Sequence, residues 1–223
     1  TVNDPMKAYD LTNRVALVTG AGNGLGRSSA FVLAACGAAV VCADVDPTRA
    51  QATASSIADQ GGTSTAMTLD VSDRSAVHAA VQSVGSDFGR LDVMANIAGV
   101  ITQGPSVDVA EDELDRILSV NLKGVLWGCQ AAARVMTAQG SGSIINMASA
   151  AIDGPSPTLL CYAIAKAGVA QMTKTFAAEL GPSGVRVNTV APGFVVTGMT
   201  GRHFTRPDGT IDETAKAAMT VPM

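Results

Sequence analysis

Residues Arg14–Gly26 read RVALVTGAGNGLG. An apolar, β-branched run (Arg14–Thr19) gives way directly to a glycine-rich turn, and a helical pattern follows from Gly24 to Cys36. Strand, glycine turn and helix, in that order, build an anion cradle. Glycines remove the Cβ atoms that would keep a diphosphate away from backbone N–H groups. The helix N-terminus adds free N–H groups and about half a positive charge. From Gly20 to Gly24 to Gly26 the spacing is G-x3-G-x-G. It is neither G-x-G-x-x-G nor the phosphate loop that ends in Lys-Ser/Thr. For the loop alone, a tight strand–helix turn in a glycine-rich chain is the alternative reading.

The alternation continues outward. Ala39–Asp44, Ser64–Leu69, Leu91–Asn96, Ser143–Met147 and Arg186–Ala191 read as strands. Thr48–Gln60, Ser72–Gly89, Ala110–Gln139 and Leu159–Leu180 read as helices. Pro47 suits a first turn, and Ser72 is expected to cap the third helix. The long Ala110–Gln139 pattern is whole or breaks around Gly124 and Gly128. Gly181-Pro182 stops the helix before the last strand. The strands read as continuous apolar runs, as expected when both faces are covered. Six strand–helix alternations predict an α/β fold, a doubly wound parallel sheet in a single domain over residues 1–223. Thr1–Asp10 reads as a polar tail, and residues 197–223 as a lid over a substrate.

Composition sets the outer limits. A chain of 223 residues makes one large domain or two small ones. Lys plus Arg is 15 and Asp plus Glu is 19, a net charge of −4, which argues against nucleic acid or an anionic membrane as partner. Apolar content of 47% with 15% charged residues excludes whole-chain disorder. The longest apolar stretch, Phe31–Ala43, is shorter than the roughly 20 residues of a spanning helix. Thr1–Asp10 carries no apolar leader core, so a cytoplasmic protein is expected. Cys36, Cys42, Cys129 and Cys161 lack C-x2-C spacing and sit in apolar surroundings, as buried thiols do. His78 is expected on a solvated helix face. Neither it nor His203 has a second ligand at metal spacing, so no metal is expected.

Candidate chemistry gathers at the ends of the strands. Asp44 ends the second strand, 24 residues after Gly20. A carboxylate there can accept both ribose hydroxyls and repels a 2′-phosphate; a solvated strand-end carboxylate is the alternative. Asn23 stands where a base would meet that phosphate, and Arg49 is the nearby cation. NAD is therefore expected in preference to NADP. Tyr162 and Lys166 lie four apart, one helical turn. Ser149 precedes Tyr162 by 13 residues and follows the fifth strand, at the carboxyl ends where such sheets hold ligands. A phenol titrates near 10, and bringing it to about 7–8 requires roughly 3–4 kcal/mol. An ammonium at about 4–5 Å, at an effective dielectric near 20, supplies roughly that much. An amphipathic helix with a polar edge is the alternative reading of the pair.

TGAGNGLG, Asp44, Asp70-Val71, NIAG (Asn96–Gly99), Asn121, Ser149, YAIAK (Tyr162–Lys166) and PGFVVT (Pro192–Thr197) occur in the order and spacing of the short-chain dehydrogenase/reductase family. The sequence resembles that family over about residues 9–200. Within it, similarity is greatest to 3-oxoacyl-(acyl-carrier-protein) reductase-like members. The resemblance implies a Rossmann-type fold and hydride exchange between a nicotinamide and a secondary alcohol or ketone. Ser149 would polarise the carbonyl, Tyr162 would be general acid or base, and Lys166 would lower the phenol's pKa and hold the ribose. Asn121 would anchor a water in a proton relay. Gly20, Asn23, Gly24, Leu25 and Gly26 would cradle the dinucleotide, and Asp70 with Val71 would meet the adenine. Asn96, Ala98 and Gly99 would line the adenosine side. Pro192, Gly193, Val195 and Thr197 would fix the carboxamide.

The resemblance also implies a homo-oligomer, a dimer or tetramer, through the helices holding Asn121 and Tyr162. Ile97 replaces the family's usual second Asn. Relatives usually continue past a point like Val221–Met223, so the family's last strand is expected to be missing. Two alternatives remain: an NADP-dependent carbonyl reductase, and a dinucleotide-binding regulatory protein without turnover.

Overall fold

The computed structural model describes residues 9–201 (without the Met199 side chain), 205, 206, 208 and 210–214. Most of the expected tail and much of the expected lid, with His203 and Val221–Met223, lie outside the described residues. The elements are β1 (Val15–Thr19), α1 (Gly24–Ala35), β2 (Ala39–Asp44), α2 (Pro47–Asp59), β3 (Thr63–Thr68), α3 (Arg74–Asp87) and β4 (Val93–Asn96). Then come α4 (Glu111–Leu118), a π-helical segment (Ser119–Lys123), α5 (Gly124–Gln139), β5 (Gly142–Met147), α6 (Leu160–Leu180), β6 (Val185–Val190) and a short α7 (Gly198–Gly201).

The six strands form one parallel sheet in the order β3-β2-β1-β4-β5-β6. The chain builds outward from β1 to β3, then crosses to the far side of β1 and builds the other way. That reversal leaves a crevice beyond the carboxyl ends of β1 and β4, where ligands bind in open α/β sheets.

Period-two alternation sorts each central strand onto two cores. Ala16, Val18, Val40, Cys42, Val93 and Ala95 face α1 and α2, meeting Ala30, Ala34, Ala54 and Ile57. Leu17, Val41, Met94, Ile144 and Val187 face the other layer, meeting Val77, Val81 and Val84 of α3, Cys129 and Met136 of α5, and Val169 of α6. The alanines of α1 and α2 let these helices lie close to the sheet. All five residues of β1 are buried, as both-face coverage requires. The edges depart from the continuous apolar expectation: β6 alternates Val185 and Val187, buried, with Arg186 and Asn188, exposed.

Two local expectations are corrected. Asp73, not Ser72, caps α3, accepting from Ser75 N at 2.8 Å and Ala76 N at 3.0 Å. Ser72 is held by Asp70, whose Oδ1 accepts from the Ser72 amide and hydroxyl at 2.9 and 2.7 Å. His78 is not on a solvated face. It sits half-buried between α3 and α5, with Arg134 Nη1 2.8 Å from its Nδ1. Burial, aided by Arg134 and Arg74, holds its pKa below the usual imidazole value. The four cysteines are free thiols. Among the described residues no helix is long and apolar enough to cross a membrane, and no cluster of His, Cys, Asp and Glu could hold a metal ion.

Candidate active site

The turn after β1 is shaped by what a side chain would strike. Gly20 has φ +68°, and a Cβ there would lie 2.8 Å from Ala98 Cα. A Cβ at Gly26 would enter the Gly20 carbonyl, so α1 starts directly against the turn. Asn23 caps α1, its Oδ1 accepting from Gly24 N at 2.7 Å. The helix start leaves further N–H groups without an intrahelical partner. Thr19 braces the turn: its hydroxyl accepts from Ile97 N and Ala98 N at 3.0 and 3.2 Å. The Asp44 carboxylate is fixed by two amides, Gly22 N at 2.8 Å and Asp46 N at 3.0 Å. A Cβ at Gly22 would approach Asp44 Oδ2 to 2.8 Å, so the backbone and the carboxylate fit only around glycine.

A cavity of about 860 Å³ opens over this turn. Of the residues named from the sequence, Gly20, Asn23, Gly24, Leu25, Gly26, Asp44, Asp70, Val71, Ala98, Gly99, Tyr162, Lys166 and Thr197 line it together. Others stand apart. The Asn96 side chain is buried under the sheet's end, its Nδ2 donating to Asn146 Oδ1 at 2.8 Å. Pro192, Gly193 and Val195 belong to the arch that leaves β6. That arch returns to the glycine turn at Thr197, whose Cβ lies 3.2 Å from where a Gly24 Cβ would be. Arg49, Arg116, Ser119 and Val120 also line the cavity. The last three lie within the five residues before Asn121, at the end of α4 and the start of the π segment.

The second half of the site joins β5 to α6. A short 3-10 turn (Ala150–Ile152) carries Ser149 off β5, its hydroxyl accepting from Ala151 N at 3.2 Å. Ser149 and Tyr162 are hydrogen-bonded through their side chains. Lys166 is 2% exposed and donates from Nζ to the Met147 carbonyl at 2.6 Å. Its Nζ lies 5.6 Å from the Tyr162 ring centroid.

The electrostatics differ from the sequence expectation. Burial raises the Tyr162 phenol above its usual value, with the Ser149 hydrogen bond working the other way. Burial also lowers the Lys166 ammonium to about 8. Desolvation dominates both groups, and the Lys166 ammonium donates to a carbonyl rather than to the phenol. Asn121 is fully buried in the π segment. Its Oδ1 accepts from Val100 N at 2.8 Å, and its Nδ2 donates to Val100 O at 2.7 Å.

A doubly wound sheet with a glycine turn, a strand-end carboxylate and a tyrosine–lysine pair lining the same crevice has the architecture of a dinucleotide-binding protein. Residues 14–208 match the short chain dehydrogenase family, and the chain belongs to it. It is 36% identical over 201 residues to D-threitol dehydrogenase of Mycolicibacterium smegmatis, covering 90% of this chain and 77% of that one. To 3-oxoacyl-(acyl-carrier-protein) reductase of Thermotoga maritima it is 36% identical over 190 residues, 85% of this chain and 77% of that one. A solved structure from Beutenbergia cavernae, provisionally assigned as an NAD(P)-dependent gluconate 5-dehydrogenase and holding NADP at low occupancy, superposes with TM-score 0.87 at 32% identity. That match covers 95% of this chain and 82% of the other. The protein is an oxidoreductase acting on alcohols or ketones, of a family that binds NAD(P). The residues present fit that cofactor: the cavity is within the size of sites for such ligands, about 300–1,000 Å³, and the glycine turn, packed too closely for a Cβ at Gly20 or Gly26, lines it beside the start of α1.

Proposed function

We propose that this chain is an NAD(H)-dependent dehydrogenase or reductase of secondary alcohols and their ketones, using Ser149, Tyr162 and Lys166. The carrying observation is the grouping of these three side chains at the carboxyl end of β5: Tyr162 and Lys166 line the cavity, Tyr162 is bonded to Ser149, and Lys166 lies beside the phenol ring. The bound nicotinamide supplies or takes the hydride and, when oxidised, places a positive charge in the site. Everything else falls to the chain. Ser149 donates to the substrate oxygen and orients it. In reduction Tyr162 gives its proton to that oxygen, a role suited to a phenol that burial keeps protonated at neutral pH. In oxidation it accepts the proton, and its pKa must then be lowered by positive charge nearby.

Lys166 has three N–H donors, and Met147 O takes one. The other two are available to a ribose hydroxyl and a relay water. Both polar ends of the Asn121 side chain are committed to Val100. Its place in a relay would therefore be taken by its main-chain carbonyl, in a π turn that departs from the i→i−4 series. Asp44 would accept the adenosine ribose hydroxyls with the oxygen lone pairs that Gly22 N and Asp46 N leave free, which favours NAD over NADP.

NADH formation with a panel of secondary alcohols, including polyols, tests this reading against NADP and against Asp44→Ala. Turnover preferring NAD, with the preference relaxed in Asp44→Ala, supports it. An unchanged NAD/NADP ratio removes the role of Asp44. Binding of dinucleotide without turnover on any substrate favours a regulatory protein. A dimer or tetramer through α5 and α6 is part of the same proposal, measured by light scattering.

A further inference from the structure

Behind the crevice lies a polar network whose centre, Asn96, Asn146 and Thr173, is buried and does not line the cavity. Asn146 is 0% exposed and Thr173 5%. Asn146 Oδ1 accepts from Asn96 Nδ2 at 2.8 Å and from Cys129 Sγ at 3.4 Å. Its Nδ2 donates to Thr173 Oγ1 at 2.9 Å. The Thr173 hydroxyl donates to Val169 O at 2.8 Å and accepts also from Thr189 Oγ1 at 2.7 Å. The hydroxyl is thus saturated, with one proton given and two lone pairs used. Such a network fixes each member in one orientation, because any rotation leaves a buried group unpaired.

Its position gives it a task. Tyr162, Lys166, Val169 and Thr173 recur at helical spacing along α6 and share the face turned to the sheet. Three hydrogen bonds join that face to β5 and its extension. Thr173 meets Asn146, Lys166 meets the carbonyl of the next residue, Met147, and Tyr162 meets Ser149. The strand runs up as the helix runs down, so the three bonds form a ladder whose lowest rung lies wholly in the core. Asn96 and Thr189 brace that rung from β4 and β6.

We infer that the Asn146–Thr173 pair is a positioning device that sets the register of α6 on β5, and so the placement of Tyr162 and Lys166 against Ser149 and Met147 O. The inference rests on the proton-transfer role assigned above to Tyr162. Neither residue touches substrate or cofactor. Each acts through the helix and the strand it joins. Catalytic groups misplaced by about 1 Å lose on the order of a hundredfold in rate, so even a fraction of that displacement is measurable.

The test compares Thr173→Val, nearly isosteric but without the hydroxyl, with Thr173→Ser, which restores it. Steady-state kinetics would be run across pH on the full chain, with cofactor affinity measured by titration. Thr173→Val is expected to lower kcat about tenfold, to shift the pH profile of kcat, and to leave the cofactor Kd within about twofold. Thr173→Ser is expected to return both kcat and the profile to wild type. A folded Thr173→Val enzyme with wild-type kcat and pH profile, changed only in melting temperature, would overturn the inference. Should Thr173→Val not fold, Thr189→Val removes one donor from the same hydroxyl at the network's edge. It must then lower kcat with an unchanged cofactor Kd, and wild-type kinetics there would equally overturn the inference. Tyr162→Phe run alongside separates the two levels. If it is inactive while the Thr173 variants behave as wild type, the positioning role alone falls. If it keeps wild-type activity, the proton reading and the inference fall together.

Discussion

Lys166 is placed where it harms the fold, and its replacement by Met should stabilise the protein. The ammonium is 2% exposed, and burial lowers its pKa from 10.5 to about 8. At 1.36 kcal/mol per pKa unit, keeping that charge buried costs about 3 kcal/mol. Removing the side chain also strips the Met147 carbonyl of its donor at 2.6 Å, and an unpaired buried carbonyl costs about 1–2 kcal/mol. The balance leaves Lys166→Met more stable by about 1–2 kcal/mol at pH 7, a rise in Tm of about 2–8 °C for a chain of this size. The pH dependence is the sharper signature. Below about 8 the lysine is charged in both folded and unfolded chains, and the full penalty falls on the wild type. Between about 8 and 10.5 the unfolded chain keeps a proton that the folded chain has shed, so wild-type stability rises with pH. Above 10.5 neither form is charged, and the variant's advantage is gone. Thermal melts of both proteins without cofactor, from pH 6 to 10, measure this directly. A variant less stable than wild type at pH 7, or a gap that does not narrow as pH rises, would show that the buried ammonium carries no such penalty.

Other perturbations have equally definite outcomes. Asp92 is 8% exposed; burial works to raise its pKa, but hydrogen bonds from Arg90, Val15 N and Arg14 together hold it below the usual carboxylate value. Its stabilising contribution is present at neutral pH and fades as acid protonates it, and Asp92→Ala should cost about 1–3 kcal/mol in urea unfolding by leaving Val15 N unpaired. Gly26→Ala must push α1 off the Gly20 carbonyl, and calorimetry should show cofactor affinity falling at least about tenfold, a loss of about 1.4 kcal/mol. Burial raises the thiols of Cys42 to about 11 and Cys129 to about 12, so a thiol reagent at pH 8 should label half-buried Cys36 in the native protein and reach these two only after denaturation.

Much of this architecture could be read from residue order because local and long-range signals agree. The central strands are continuous apolar runs, the glycine turn sits between strand and helix, and Pro47 and Gly181-Pro182 mark the helix ends they should. Where the sequence misled, a nearby competitor decided. Asp70 captures Ser72, so the cap of α3 passes to Asp73. The helix after Ala110 changes where Gly124 suggests, a π segment over Ser119–Lys123 ending there, and not at Gly128. No residue in Ser-Val-Asn-Leu-Lys is a helix breaker. The widening accompanies the Asn121 side chain's turn toward Val100, a contact 21 residues distant that composition cannot show. Gly128 does not break the helix either; a Cβ there would enter the Asn96 amide, so it makes room for the buried network. The sequence places Asn96 beside a ligand, whereas its side chain holds Asn146; a short polar residue at a strand end looks the same in both roles. The ladder from Thr173 to Tyr162 was invisible for a related reason: its lowest rung pairs residues 27 apart.

In the proposed chemistry the Tyr162 hydroxyl moves the proton while the rest of the site holds the partners in place. Its most direct measurement is single-turnover hydride transfer in Tyr162→Phe, with cofactor and a turned-over secondary alcohol both saturating. Cofactor binding is expected within about twofold of wild type, with a transfer rate lower by about a hundredfold or more, as loss of a general acid–base group brings. A Tyr162→Phe enzyme that binds normally and transfers hydride at the wild-type rate would contradict it.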